Sequence, residues 1–221
     1  MNFFDQTHYH EINDARLRHL ESLKLDLTNK KSIELGAGVG DLSHFFSQTG
    51  NHTISEARDK NLLILNEKFN QYEKIVKLDA NNIDLSEKFD IVFCYGLLYH
   101  LSNPVNAIKG MSSICDDLLI IETCVSLGKE LSINPIIEDV SDLTQSIDGL
   151  GCRPTRIWIF EELKKHFKFV YLPKTQPNHQ SFVKDFENVT DLGLNYRAIF
   201  VASRRKIDNE NFTSDFIYKY V

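Results

Sequence analysis

The chain has 221 residues, 42% of them hydrophobic and 25% charged, with 31 acids, 25 lysines and arginines and a formal net charge of -6. That suits one globular domain with a sizeable core. The acidic balance counts against a general nucleic-acid binder, which carries a basic surplus, and no apolar run reaches membrane-spanning length.

The start of the chain, Met1-Asn2-Phe3-Phe4-Asp5-Gln6, lacks the basic flank and apolar core of a secretory leader. The four cysteines, Cys94, Cys115, Cys124 and Cys152, have neither zinc-knuckle nor CxxC spacing. Cys94 and Cys124 lie in apolar runs and read as buried free thiols, which suits a reducing compartment. A cytoplasmic protein is expected. His8 and His10 lie beside Glu11, but on an N-terminal segment such a pair reads as solvent-facing. Glu122, His100 and Asp148 are the other set weighed for a divalent ion; oxygen-rich sites have no diagnostic spacing here, and no metal is assigned.

In chain order, apolar residues Ile12, Ala15, Leu17, Leu20 and Leu23 repeat near helical period and predict a helix over 11–25, within an N-terminal cap of residues 1–30. Strands and helices then alternate. Strands are expected at 33–35, 52–55, 74–78, 89–95, 118–124, 169–172 and 197–203, and helices at 42–48, 60–69, 105–114 and 158–166. This pattern predicts a Rossmann-like, doubly wound α/β fold, with a mostly parallel seven-stranded sheet in one domain. No helix separates the last two strands, so the last is expected to run antiparallel. Two long connections, 125–156 and 173–196, are read as substrate loops over the carboxyl edge of the sheet. The hydrophilic tail after Arg205 is read as disordered or packed on a partner.

The most informative segment is Ser32-Ile33-Glu34-Leu35-Gly36-Ala37-Gly38-Val39-Gly40-Asp41. A short apolar strand gives way to a glycine-rich turn and the start of a helix, which brings bare backbone close to a nucleoside. Nicotinamide enzymes use GxGxxG or GxGxxA at this place. Here the turn is GxGxG, and the third small position is Asp41, whose charge at a helix start repels a pyrophosphate. The pattern therefore favours a cofactor without phosphate.

With Glu56 after the second strand, Leu78-Asp79-Ala80 after the third, and Phe89 to Pro104 (FDIVFCYGLLYHLSNP), the chain resembles the class I S-adenosylmethionine-dependent methyltransferases. The likeness covers roughly residues 30–125. It implies that Glu34 with Gly36, Gly38 and Gly40 flanks the methionyl part of S-adenosylmethionine, and that Glu56 binds the ribose hydroxyls. By the same likeness Asp79 and Ala80 hold the adenine, and Tyr95 and Gly96 close the pocket under the sulfonium.

On the acceptor side, His100 falls just past the fourth strand, where a residue titrating near neutrality suits a general base. Tyr99 is a candidate pocket wall. In the loop 146–156, Asp148, Arg153 and Arg156 are candidate acceptor contacts, with the two arginines as a bidentate clamp for a phosphate or carboxylate. Asn178 and His179, in Thr175-Gln176-Pro177-Asn178-His179-Gln180, are of the types that read sugar hydroxyls. These segments look like methyltransferases of bacterial surface-glycan biosynthesis. The resemblance implies an O-methyltransferase for a small sugar-containing acceptor such as a nucleotide-linked sugar, with no membrane partner and a second copy of the chain as the protein partner considered. GLLYHL also resembles transferases of the transfer RNA wobble uridine. That alternative needs a basic surface, and a cofactor-binding module without catalysis is the other one.

Overall fold

The computed structural model describes residues 7–69, 74–189 and 195–221, with side chains from Tyr9 onward. Residues 1–6, on which the reading of the N-terminus rested, and the side chain of His8 lie outside it.

Helix α1 (Thr7–Ser22) is followed by β1 (Ser32–Leu35), α2 (Ser43–Ser47), β2 (His52–Glu56), α3 (Asp59–Phe69), β3 (Lys74–Lys77) and β4 (Phe89–Tyr95). A 3-10 turn at Leu98–His100 leads into α4 (Pro104–Ile114) and β5 (Cys115–Cys124). Then come β6 (Pro135–Ile137), β7 (Leu150–Cys152), α5 (Arg156–Lys164), β8 (Phe169–Pro173), β9 (Arg197–Ser203) and β10 (Phe212–Thr213). The large sheet has eight strands in the order β10-β8-β9-β5-β4-β1-β2-β3. Pairings among β1 to β5 are parallel, while β9 runs antiparallel to both β5 and β8. The expected antiparallel last strand is therefore β9, inserted between β5 and β8.

Three differences from the sequence reading have local causes. Helix α1 ends before Leu25 because Lys24 takes a left-handed φ of 52°. Helix α5 starts earlier than 158 because the Thr155 hydroxyl accepts from the Trp158 N–H at 3.4 Å and caps it. The eighth strand comes from the polar tail: Phe212 and Thr213 pair with Pro173 and Leu172. The tail thus packs on its own chain, and the Ile207 N–H donates to the Tyr171 hydroxyl at 3.1 Å.

Strand residues alternate between two apolar layers, as a sheet covered on both faces requires. Val92, Cys94, Leu119 and Ile121 face α4 and α5 in one cluster, which includes Ala107, Met111, Ile159 and Leu163. Ile91, Phe93, Leu118 and Ile120 face Leu20 and Leu23 of α1 and Phe46 of α2 in the other. Phe46 stacks on Phe93 with ring centres 4.0 Å apart, and full burial of such a ring stabilises by roughly 1.5–3 kcal/mol. All four cysteines are buried and free. No helix among the described residues is long and apolar enough to cross a membrane. The packing leaves the carboxyl ends of β1, β2, β4 and β5 open to one cavity, roofed by the β6–β7 hairpin and the loop between its strands.

Candidate functional site

The cavity has a volume of about 500 Å³. Its floor begins at the glycine turn after β1. Gly36 and Gly38 have φ of 66° and 60°, in the region that favours glycine. A Cβ at Gly36 would lie 2.6 Å from a Leu97 methyl, so the turn leaves no room for a side chain. The Gly38 N–H donates to Glu56 Oε2 at 2.8 Å, and the N–H groups of Ala57 and Arg58 donate to Oε1 at 2.9 and 2.8 Å. Burial pushes the Glu56 carboxyl above its ordinary pKa, against the pull of these donors. Glu34 accepts from the Ser43 hydroxyl at 2.5 Å. Asp79 closes a turn by accepting from the Asn81 N–H at 2.9 Å, and Ala80 beside it is buried.

Glu34, Gly36, Gly38, Glu56, Asp79, Ala80, Tyr95 and Gly96 all line the cavity. Gly40 does not. Its φ is 84°, and a Cβ there would lie 2.5 Å from the Phe69 ring, so this glycine seats the turn against α3. Bare backbone, a buried carboxylate opposite it and a polar-edged slot beyond β3 fit an adenosyl cofactor with a methionyl tail. Asp41 also lines the space, which suits a donor without phosphate.

The other end of the cavity is built from four elements. His100 and Tyr99 come from the turn after β4, Arg197 from the start of β9, Arg16 from α1, and Glu138 and Arg153 from the roof. Behind them Glu122 is fully buried. Glu122 accepts from Arg197 Nη1 at 2.8 and 3.1 Å, and Arg16 Nε lies 3.2 Å away. Burial pulls the Arg197 pKa down, but Glu122 outweighs it and holds the value well above normal. Arg197 Nη2 donates to the Tyr99 hydroxyl at 2.9 Å. The guanidinium carbons of Arg197 and Arg153 each lie 4.9 Å from the centre of the Tyr99 ring. His100 Nδ1 is 2.5 Å from Glu138 Oε2. Burial pushes the His100 pKa below its ordinary value in spite of that carboxylate.

The structure separates several residues that sequence reasoning grouped. Arg156 is no part of an anion clamp: it is 3% exposed, donates to the Ile217 carbonyl and the Tyr220 hydroxyl, and sits among the rings of Phe186, Phe216, Tyr218 and Tyr220. It fastens the C-terminal tail. Asp148 lies outside the cavity lining and braces the roof loop, accepting from the hydroxyls of Ser102 and Ser146 at 2.6 Å each. Asn178 is exposed, and the His179 ring accepts from the Ser181 N–H at 3.2 Å; neither lines the cavity, to which their loop gives Ser181 and Asn195 instead. Glu122, His100 and Asp148 do not converge, because both Glu122 oxygens face arginines. Among the described residues no group of three or more metal-ligating side chains is present.

Arg16, Arg197, Glu138 and Tyr9 are site residues that sequence reasoning missed. One signal was legible: Glu122 is a lone acid in the apolar run LLIIETC, and a buried charge needs a partner.

Residues 33–116 match the family model described as a methyltransferase domain. The chain is 25% identical over 118 residues to the ubiquinone biosynthesis O-methyltransferase of Histophilus somni (strain 2336), covering 48% of this chain and 48% of that protein. It is 30% identical over 112 residues to the protein of the same name from Nitrosomonas europaea, covering 48% and 47%. The matches thus span about half the length of these curated relatives. Among solved structures, the N-terminal domain of EvdMO1 in the presence of S-adenosylhomocysteine (SAH) and D-fucose superposes with a TM-score of 0.67 at 17% identity, covering 91% of this chain and 84% of that one. Magnesium protoporphyrin IX methyltransferase (ChlM) from Synechocystis PCC 6803 with bound S-adenosylmethionine gives 0.58 at 17% identity, covering 90% and 85%. Residues 33–116 are thus similar in sequence to a methyltransferase domain, and the chain shares its fold with structures solved with S-adenosylmethionine or SAH, a methyltransferase among them.

Proposed function

We propose that this chain transfers a methyl group from S-adenosylmethionine to a hydroxyl oxygen of a small sugar-containing acceptor. The carrying observation is that His100, paired with Glu138, lines the same cavity as the glycine turn and Glu56. Bound S-adenosylmethionine supplies a methyl activated by a cationic sulfur. Glu56 would hold the ribose, Asp79 and Ala80 the adenine, and Gly36, Gly38 and Gly96 the methionyl part. Arg16 would offer a counter-charge to the methionyl carboxylate, since its guanidinium approaches Gly96, where a Cβ would meet it at 3.5 Å.

A hydroxyl is a weak nucleophile until its proton is removed, and a positioned base contributes about 10²–10⁴ in rate. Burial depresses the His100 pKa below its ordinary value, which favours the neutral ring that can accept that proton. Tyr99, Arg153, Arg197, Ser181 and Asn195 give the acceptor end the mixed donors that sugar hydroxyls need. The fold neighbour crystallised with D-fucose and the relatives named O-methyltransferases support the reading. A nucleotide-linked sugar, as a precursor of a surface glycan, is the preferred acceptor class.

The test is SAH release from S-adenosylmethionine with a panel of free and nucleotide-linked sugars. His100→Ala is expected to lower turnover at least about 100-fold while leaving SAH affinity unchanged. Equal turnover in the variant removes His100 from the chemistry. Turnover on catechols but on no sugar removes the acceptor class.

A further inference from the structure

His100 belongs to the turn after β4, inside the family-matched region, whereas its carboxylate partner comes from the roof, outside it. Glu138 follows β6. Its Oε2 lies 2.5 Å from His100 Nδ1 and accepts from the Ser146 N–H at 2.8 Å; its Oε1 lies 3.6 Å from Arg153 Nη1. The side chain is 4% exposed. Burial raises the pKa of this carboxyl, but the contacts from His100, Ser146 and Arg153 outweigh it and hold the value below normal. An ionised carboxylate only accepts hydrogen bonds, so Nδ1 must be the protonated ring nitrogen and Nε2 keeps its lone pair.

The roof is built to make this contact. Gly151 on β7 is a glycine of necessity: a Cβ there would lie 2.7 Å from the Tyr99 carbonyl and 2.8 Å from the Glu138 carboxyl. The missing side chain lets the β6–β7 hairpin seat flush on the turn that carries His100. Arg153 Nη1 donates to the Tyr99 carbonyl at 3.2 Å and fixes the same seam. At the cofactor end, the Arg58 side chain donates to the carbonyls of Val140, Gln145 and Ser146 at 3.1, 3.0 and 2.8 Å. The backbone N–H of Arg58 meanwhile holds Glu56. A continuous set of contacts therefore runs from the ribose acid through Arg58 and the 138–146 loop to Glu138 and His100.

We propose that Glu138 is the positioning residue of the base. It holds His100 in the Nδ1–H form with Nε2 free to take the acceptor proton, and the Arg58 clasp keeps Glu138 in place. This rests on the reading of His100 as the base. When Nε2 takes the hydroxyl proton, the imidazolium is stabilised by the carboxylate at Nδ1, while Arg153 keeps Glu138 from accepting the proton itself. The pairing follows the general logic by which a buried carboxylate fixes a histidine tautomer.

The experiment uses the full chain saturated with SAH, so that it needs no acceptor. Two-bond ¹H–¹⁵N spectra of the histidines, assigned with His100→Gln, read the tautomer and the titration of His100. Wild type is expected to show the Nδ1–H form at neutral pH. Glu138→Gln is expected to give mixed tautomers and a lower His100 pKa, because the charge that favours imidazolium is gone, and Glu138→Asp an intermediate state. Arg58→Met, which touches neither ring nor carboxylate, is expected to give mixed tautomers by loosening the clasp. With an acceptor in hand, Glu138→Gln is expected to lower kcat about 10- to 100-fold, with SAH affinity changed less than about 3-fold. An Nε2–H form in wild type, or spectra unaltered in Glu138→Gln, overturns the positioning role. Spectra unaltered in Arg58→Met overturn the clasp. Full turnover in His100→Ala with the wild-type tautomer as expected instead sinks the base reading alone.

Discussion

His19 on α1 makes a quantitative prediction. It is 6% exposed, and its Nε2 lies 3.1 Å from both the carbonyl and the hydroxyl oxygen of Thr175. Burial pushes its pKa down from 6.5 to about 4, with the Thr175 carbonyl pulling the other way. The folded value lies below the unfolded one, so the folded state favours the neutral ring. The contribution to stability is complete above the unfolded pKa of 6.5 and is lost as the pH falls towards 4. Each pKa unit corresponds to about 1.4 kcal/mol. Full protonation therefore removes about 3 kcal/mol, a substantial part of the ~5–15 kcal/mol that holds a domain folded. His19→Gln keeps an N–H donor for Thr175 without the titration. Urea unfolding of both proteins between pH 7.5 and pH 4 measures the difference, in which contributions common to the two cancel, including the opposite one from Glu56. Wild type is expected to lose stability faster than the variant by about 1.4 kcal/mol per pH unit within that window. Since α1 carries Arg16 and Tyr9 to the cavity, the loosened helix also weakens SAH binding in acid. Parallel pH slopes in the two proteins would refute the reasoning.

Glu122→Gln leaves Arg16 and Arg197 facing each other without a counter-charge, and should cost about 3–5 kcal/mol in urea unfolding; a loss under about 1 kcal/mol would show that the cluster is not dry. Arg156→Met removes the cation from the ring cage and takes away the guanidinium N–H that donates to the Ile217 carbonyl. Each desolvated cation–π contact is worth up to about 2 kcal/mol. Limited proteolysis should cleave the tail after residue 205 in this variant, with turnover affected less than about 3-fold because Arg156 lies outside the cavity lining. A tail as resistant as that of wild type would remove Arg156 as its fastener.

Much of the fold was legible because it is local. The strands announce themselves as apolar runs, and the glycine turn, Glu56 and Asp79 occupy fixed places at strand ends. The residues that line the glycine-turn end of the cavity were therefore readable one by one, with Gly40 the exception, since it admits Phe69 and does not face the cavity. The opposite end was not. Arg16, Glu122 and Arg197 come from three distant elements, and no spacing in the chain links Glu138 to His100. Arg153 and Arg156 look equivalent in RPTR, yet α5 begins at Arg156 and turns its side chain away from the roof towards the tail. Strand β10 escaped notice because two residues carry no period, and the aromatic residues after it, Phe216, Tyr218 and Tyr220, gain meaning only around Arg156.

The account depends most on the glycine turn and Glu56 holding an adenosyl sulfonium. Isothermal calorimetry of SAH with the full chain and with Glu56→Ala tests that directly. Wild type should bind one SAH saturably, and at 100 times Kd the ligand should stabilise the fold by about 2.7 kcal/mol. Glu56→Ala should weaken binding at least about 10-fold, as expected for losing a buried charged acceptor. No heat and no thermal shift with folded wild-type protein, or undiminished affinity in Glu56→Ala, would contradict the account.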